Sequence, residues 1–479
     1  MTLNTAASFY AILRDKFPHE PTLKQSVALE KLANFILAKD HGSVFMLKGF
    51  AGTGKTTIVG TIVGNLWNTK MQCVLMAPTG RAAKVMSNYS NTQAFTIHRK
   101  IYFPKKERGG GVQFVLAPNK HRNTIFIVDE ASMIPDTPTD SKLIGNGALL
   151  EDLLMYVYSG HQCKLILIGD TAQLPPVHLQ LSPALDENQL ALNYNKEVIM
   201  MEMDEVVRQA ENSGILVNAT NLREQLQGEY YDDFKFDVSP YPDIVRLLDG
   251  NDIQEAIDGS YGQNGKEETA IIVRSNKRAN LYNENIRTRI LYLENELAVG
   301  DYMMVVKNNY FWLKPQSEAG FIANGDIIEI RELFAIKELY GFKFAEVKVK
   351  MVDYPNQKPF ETVLLLDTIQ AESPSLSYED GNRLYTEVMK DYADEPSKYK
   401  KFLAVKNNKY FNGLQVKFSY AITCHKSQGG QWDTVFVEQP YLPNGVDRDY
   451  LRWLYTAVTR AKRQLYLIGF KNDFFVDGE

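Results

Sequence analysis

Short apolar runs rich in β-branched residues recur along the first half of the chain, at residues 43–47, 72–77, 125–128 and 165–168. Each ends in a small or polar cluster and leads into a helical pattern. Runs that are apolar at successive positions suit strands buried on both faces, as parallel sheets covered by helices require. A second series follows at 270–273, 418–422, 434–437 and 465–468. Two α/β units with parallel sheets are therefore expected.

Two segments break the pattern. Residues 99–121 carry Pro104, Gly109, Gly110, Gly111 and the apolar-rich stretch 112–116, which predicts a hairpin inserted between two strands of the first sheet. Residues 326–413 alternate β patterns at 346–351 and 362–366 with a polar, Tyr-rich helical stretch around 378–399. That predicts a small β-rich unit inserted into the second sheet. No internal repeat and no low-complexity tract is visible.

Composition narrows the class. With 479 residues, 44% hydrophobic and 23% charged, the chain can bury several cores and is neither disordered nor fibrous. No apolar run approaches the roughly 20 residues that span a bilayer. The opening stretch MTLNTAASFYAILRDKF meets charge too early for a secretory signal, so a cytoplasmic location without membrane association is expected. Cys73, Cys163 and Cys424 lie far apart, which excludes a CxxC metal pair and a disulfide framework. The net charge of −5 argues against a broad polyanion surface. Residues 100–122 are an exception, with Lys100, Lys105, Lys106, Arg108, Lys120 and Arg122 against the single acid Glu107. A nucleic-acid site would have to be a local groove.

The strongest local signal is GFAGTGKT at 49–56, which fits GxxxxGK[ST] between a predicted strand and a helical pattern. Its glycines, Gly52 and Gly54 among them, let backbone N–H groups turn around phosphate oxygens. The helix N-terminus adds partial positive charge, Lys55 reaches the β/γ-phosphates, and the Thr56 hydroxyl suits Mg²⁺. IFIVDE at 125–130 delivers Asp129 and Glu130 at a strand's C-terminal end, where α/β proteins bind ligands. Asp129 suits the Mg²⁺ shell and Glu130 the general base toward water. A third strand, LILIGD, runs into TAQLPPV, where Gln173 can hydrogen-bond the γ-phosphate or its water.

From here the order of motifs resembles superfamily 1 DNA helicases, most closely the 5′-to-3′ branch of RecD-like, Pif1-like and phage Dda-like enzymes. Leu23, Gln25 and Ala28 resemble the Q-type element, in which Gln25 would read adenine. APTGRAAK at 77–84 is similar to motif Ia, and Thr96, Ile97 and His98 to motif Ib. Val207, Arg208 and Gln209 resemble motif IV, residues 420–437 motif V, and LYTAVTRAK at 454–462 motif VI. Gly300, Asp301 and Asn324, Gly325, Asp326 resemble the family's GD and NGD turns.

The resemblance implies two RecA-like P-loop domains with parallel sheets. Domain 1A would be 1–98 and 122–210, and domain 2A 211–325 and 414–479. A pin hairpin (domain 1B) would occupy 99–121 and an SH3-like insertion (domain 2B) 326–413. It implies ATP and Mg²⁺ as cofactors, with Lys55, Asp129, Glu130, Gln173, Arg208 and Arg460 catalytic. Gln25, Gly52, Thr53, Gly54, Lys55, Thr56, Thr57 and Gly429 would bind ATP. Pro78, Thr79, Arg81, Thr96, His98, Asn276, Thr423, His425, Ser427 and Gln428 would bind DNA.

A guanidinium offered from the second unit, Arg460, stabilises charge on the phosphoryl group only when the cleft is closed, which couples hydrolysis to domain motion. The implied activity is an ATP-dependent helicase moving 5′ to 3′ on single-stranded DNA, working as a monomer at single-strand/duplex junctions in replication, repair or recombination. A nucleotide-gated DNA-binding ATPase without unwinding shares every phosphate-site residue and stays open. A small-molecule kinase leaves the second sheet unexplained. His98 also reads as a satisfied structural histidine, and the basic 100–122 segment as a solvated loop.

Overall fold

The computed structural model describes residues 5–40, 42–106, 112–137, 148–207, 213–228, 230–314 and 317–476. The first lobe holds β1 (Val44–Gly49), β2 (Gln72–Ala77), β3 (Ala94–Thr96), β6 (Thr124–Val128), β7 (Lys164–Gly169) and β8 (Val198–Met203). They form one parallel sheet in the order β3-β2-β6-β7-β1-β8. The central strands β6 and β7 are buried at every position, which accounts for their unbroken apolar runs. Between β3 and β6 the chain makes the expected hairpin from β4 (Tyr102–Lys106) and β5 (Val112–Leu116), paired antiparallel. Residues 107–111, with Arg108 and the three glycines, lie outside the described residues, as does the side chain of Phe114.

The second lobe is a parallel sheet ordered β16-β10-β17-β18-β9. Its strands are β9 (Ile244–Leu247), β10 (Thr269–Val273), β16 (Ala421–Thr423), β17 (Trp432–Glu438) and β18 (Ala461–Ile468). Between β10 and β16 stands a closed barrel of β11 (Tyr302–Val305), β12 (Ile327–Leu339), β13 (Phe342–Met351), β14 (Phe360–Leu365) and β15 (Leu414–Phe418). Helices Tyr378–Lys390 and Lys398–Lys406 are inserted before β15, and Leu384, Val388 and Val405 share an apolar cluster with barrel residues.

Two expectations need correction here. The barrel runs from Tyr302 to Phe418, so the 326–413 bounds miss a strand at each end. The single strand expected at 418–422 is split: Phe418 ends the barrel and Ala421 starts the second sheet. The crossing is pinned by Asp301, which receives two bonds of 2.9 Å from buried Arg287 and one of 3.0 Å from the Tyr420 hydroxyl. Gly300 and Gly325 take φ of 88° and 97° beside it, a region that penalises any Cβ.

The lobes are docked. Phe50, Ala172 and Leu174 of the first lobe belong to the same apolar core as the second lobe and barrel. Helix Arg448–Val458 is buried at every residue from Tyr450 on, because it packs against its own sheet on one side and meets the first lobe on the other.

Candidate active site between the lobes

The phosphate loop follows β1 as the spacing demands. Gly52 and Gly54 adopt φ of 74° and 87°, and helix Lys55–Asn65 opens from Gly54 with no side-chain cap. Its first amides therefore face the loop without an internal acceptor. Lys55 folds back, donating from Nζ to the Gly49 and Phe50 carbonyls at 2.6 and 2.8 Å. Thr56 is exposed at the helix start and Thr57 is half-buried behind it.

Two loop expectations change. Thr53 is fully buried and bonds the Phe50 carbonyl at 2.9 Å, so its side chain shapes the loop rather than facing a ligand. Gln25, 1% exposed, accepts from Thr22 N–H at 3.0 Å and donates to the Thr53 carbonyl at 3.2 Å. It closes a capping box and braces the loop; both ends of the amide are engaged, which leaves it poorly placed to read a base.

Asp129 and Glu130 stand at the end of β6. Asp129 accepts from the Tyr89 hydroxyl and the Glu130 amide, both at 2.8 Å. Glu130 has φ 53°, ψ 37°, a left-handed conformation that is costly outside glycine and here aims the carboxylate into the cleft. Burial raises its pKa; Arg460 opposes that, Asp129 adds to it and Lys55 opposes it.

Arg460 crosses from the second lobe. Its Nη1 lies 3.9 Å from Glu130 Oε1, and the buried guanidinium is held by Thr456 O, Gly430 O and Thr459 Oγ1 at 3.0–3.3 Å. Gln173 is buried between the lobes with its Oε1 unpartnered. Arg208 lies outside the described residues.

The residues expected to hold DNA divide. Pro78, Thr79 and Arg81 follow β2, and Arg81 stacks on Trp432 of the second lobe at 4.1 Å. Thr423 is half-buried with an uncommitted hydroxyl cap position, and His425 is exposed. Asn276 donates to the Glu372 carbonyl at 3.0 Å.

Four others point elsewhere. Ser427 is fully buried and donates to Cys424 O at 2.7 Å. Gln428 is buried and donates to Leu174 O at 2.7 Å, across the cleft. Thr96 is a buried helix cap for Arg99 N–H. The His98 ring sits near Tyr102 and Phe321, and burial lowers its pKa to about 4, so it is neutral at physiological pH. Gly429, expected at ATP, instead faces the helix after β2: a Cβ there would lie 2.8 Å from Ala82 Cβ.

Sequence reasoning passed over Tyr89, Asp170, Tyr455, Thr456 and Trp432. Asp170 and Tyr455 lay inside quoted motifs, but nothing local said that they meet.

Fold and site together define a two-lobed P-loop nucleoside triphosphatase with a cross-lobe arginine. Residues 36–179 match the AAA domain model and residues 418–468 the UvrD-like helicase C-terminal domain model. The chain is 24% identical over 473 residues to the ATP-dependent DNA helicase dda of Enterobacteria phage T4, covering 88% of this chain and 93% of that one. It is 31% identical over 207 residues to the ATP-dependent RecD2 DNA helicase of Deinococcus radiodurans, covering 43% of this chain and 24% of that protein. Among solved structures it is similar to a Bacteroides Pif1 helicase with ADP-AlF3 and single-stranded DNA, at TM-score 0.41 and 17% identity over 94% of both chains. The two matched models span the phosphate loop, Asp129, Glu130 and Gln173 on one side and Arg460 on the other. Among the described residues no helix is long and apolar enough to cross a membrane.

Proposed function

We propose that this chain hydrolyses ATP in the cleft between its lobes and uses the resulting motion to move 5′ to 3′ along single-stranded DNA and unwind duplex. The observation that carries this is Arg460 of one lobe standing 3.9 Å from Glu130 of the other, beside the phosphate loop. A guanidinium there stabilises charge on the transferring phosphoryl only while the lobes are together, so turnover and closure share one event. Glu130 is the base for the attacking water; its burial raises its proton affinity toward that task. Gln173 keeps a buried acceptor free for the γ-phosphate's water.

Thr56 and Asp129 would hold Mg²⁺: an exposed hydroxyl and a carboxylate at the end of β6 are the hard oxygen donors that this ion takes alongside water and phosphate. When bound, it would offset charge on the β- and γ-phosphates. Single-stranded DNA would lie on the surface of Pro78, Thr79, Arg81, Thr423 and His425, held through phosphate and sugar without reading sequence. The chain would act as a monomer at single-strand/duplex junctions.

The test is ATPase activity with and without single-stranded DNA for wild type and Lys55→Ala. DNA-stimulated turnover lost in the variant supports the reading; equal, DNA-independent turnover in both overturns it. Duplexes tailed at only one end settle direction, and preferential unwinding of the 3′-tailed one reverses the assignment.

A further inference from the structure

Tyr455 is 1% exposed, on the helix Arg448–Val458 of the second lobe, yet both hydrogen bonds of its hydroxyl are made to the first. The phenol donates to Asp170 Oδ2 at 2.6 Å and accepts from the Ala51 N–H of the phosphate loop at 2.9 Å. Asp170, also 1% exposed, uses its other oxygen to hold Ala172 N–H at 2.9 Å. The next residue, Thr456, accepts from Leu174 N–H at 2.9 Å, and Gln428 takes the Leu174 carbonyl. The loop 170–174, which carries Gln173 with its free buried acceptor, is thus held at both ends by the second lobe. Arg460 follows on the same segment and meets Glu130. Helix Arg448–Val458 and the turn that follows it therefore touch the phosphate loop, the Gln173 loop and the Glu130 carboxylate.

A phenol is suited to this place because one oxygen can donate and accept at once, and its partners, the buried Asp170 carboxylate and the half-buried Ala51 N–H, are costly to leave unpaired. That cost arises only with the lobes docked, since water replaces Tyr455 once they part.

We infer that Tyr455 is a positioning residue: by sharing its hydroxyl between Ala51 and Asp170 it aligns the phosphate loop with the Gln173 loop when the lobes close. Turnover is thereby tied to closure in addition to the arginine's own role. The inference rests on the proposed ATP chemistry but not on DNA.

The experiment uses Tyr455→Phe in the full chain, which keeps the ring and removes both bonds. Dyes placed on the two lobes report closure when a non-hydrolysable ATP analogue is added without DNA, and steady-state ATPase gives kcat and KM. Binding of fluorescent ADP reports that the phosphate loop is folded. Expected are retained ADP binding, a closed population reduced about ten- to a hundredfold, and a matching fall in kcat/KM. Asp170→Asn combined with Tyr455→Phe should be no worse than the more damaged single variant.

Wild-type closure and kcat/KM in Tyr455→Phe would overturn the inference. So would loss of ADP binding, because Tyr455 would then build the loop rather than align it. Additive losses in the double variant would do the same. A wild type indifferent to DNA would defeat the helicase reading while leaving the closure measurement intact.

Discussion

Replacing Asp326 by Asn is expected to make the protein harder to unfold, and increasingly so as pH rises. Asp326 is 1% exposed in the turn that leads into β12. Its Oδ2 accepts from Ala323 N–H at 2.7 Å, and Oδ1 has no partner. That free oxygen abuts the first lobe: a Cβ on Gly80 would lie 2.6 Å from it and from the Tyr354 hydroxyl. Burial lifts the carboxyl from 3.8 to about 8, against the Ala323 amide and with help from neighbouring Asp353.

Between those values the folded chain keeps a proton that the unfolded chain releases. Below pH 4 both states are protonated and nothing is lost. Stability declines from pH 4 to 8, and above pH 8 the whole cost is present. A shift of about four units corresponds to a ceiling on the order of 5 kcal/mol, reduced by whatever hydration the lobe–barrel seam admits on ionisation. Asn keeps the Ala323 bond and never ionises, but it places an NH₂ where Oδ1 was, offsetting about 1–3 kcal/mol unless Tyr354 accepts from it.

The assay is the urea midpoint of wild type and Asp326→Asn from pH 5 to 8.5. Near pH 5 the two should be close. By pH 8.5 the variant should be ahead by about 2–4 kcal/mol, the remainder after that offset. A difference that does not vary with pH would refute the reasoning. So would a variant that loses ground as pH rises, since Asp326 would then be an ionised partner of a cation.

Removing the cross-lobe guanidinium with Arg460→Ala should lower kcat by about 10³–10⁵ with ADP binding kept; a fall under tenfold, measured by steady-state ATPase, counts against its role. Glu130→Gln keeps the shape and loses the base, so kcat should drop about 10²–10⁴ while fluorescent-nucleotide affinity stays close to wild type. Trimming residues 105–117 should preserve DNA-stimulated ATPase and abolish strand separation in a fork-unwinding assay. Unwinding that persists would assign the hairpin no part in splitting duplex, and ATPase without unwinding in the untrimmed chain would favour the nucleotide-gated alternative.

Much of this site was legible in one dimension. The phosphate loop, Asp129 with Glu130, and Gln173 each sit where a strand ends, and a strand end has a known relation to its own sheet. Thr96, Ser427, Gln428 and Gly429 were misread because a motif gives residue type without side-chain direction: the hydroxyls turned inward to caps and carbonyls, and Gln428 turned across the cleft. The barrel bounds failed for a related reason. Residues 302–305 are buried throughout and 414–418 at all but Gln415, much like strands of a parallel sheet, and burial does not say which sheet a strand joins.

By itself the chain's order of residues determined two α/β units, a triphosphate-binding turn and the chemical kinds of group around it. These are encoded by spacings of a few residues, over which backbone geometry leaves little choice. Only the folded molecule decided that Tyr455 shares its hydroxyl with Ala51, 404 positions away, that Arg460 meets Glu130, and that Asp326 is sealed against Gly80. Such contacts depend on how two lobes and a barrel dock, and docking is set by the summed packing of many side chains rather than by any local pattern.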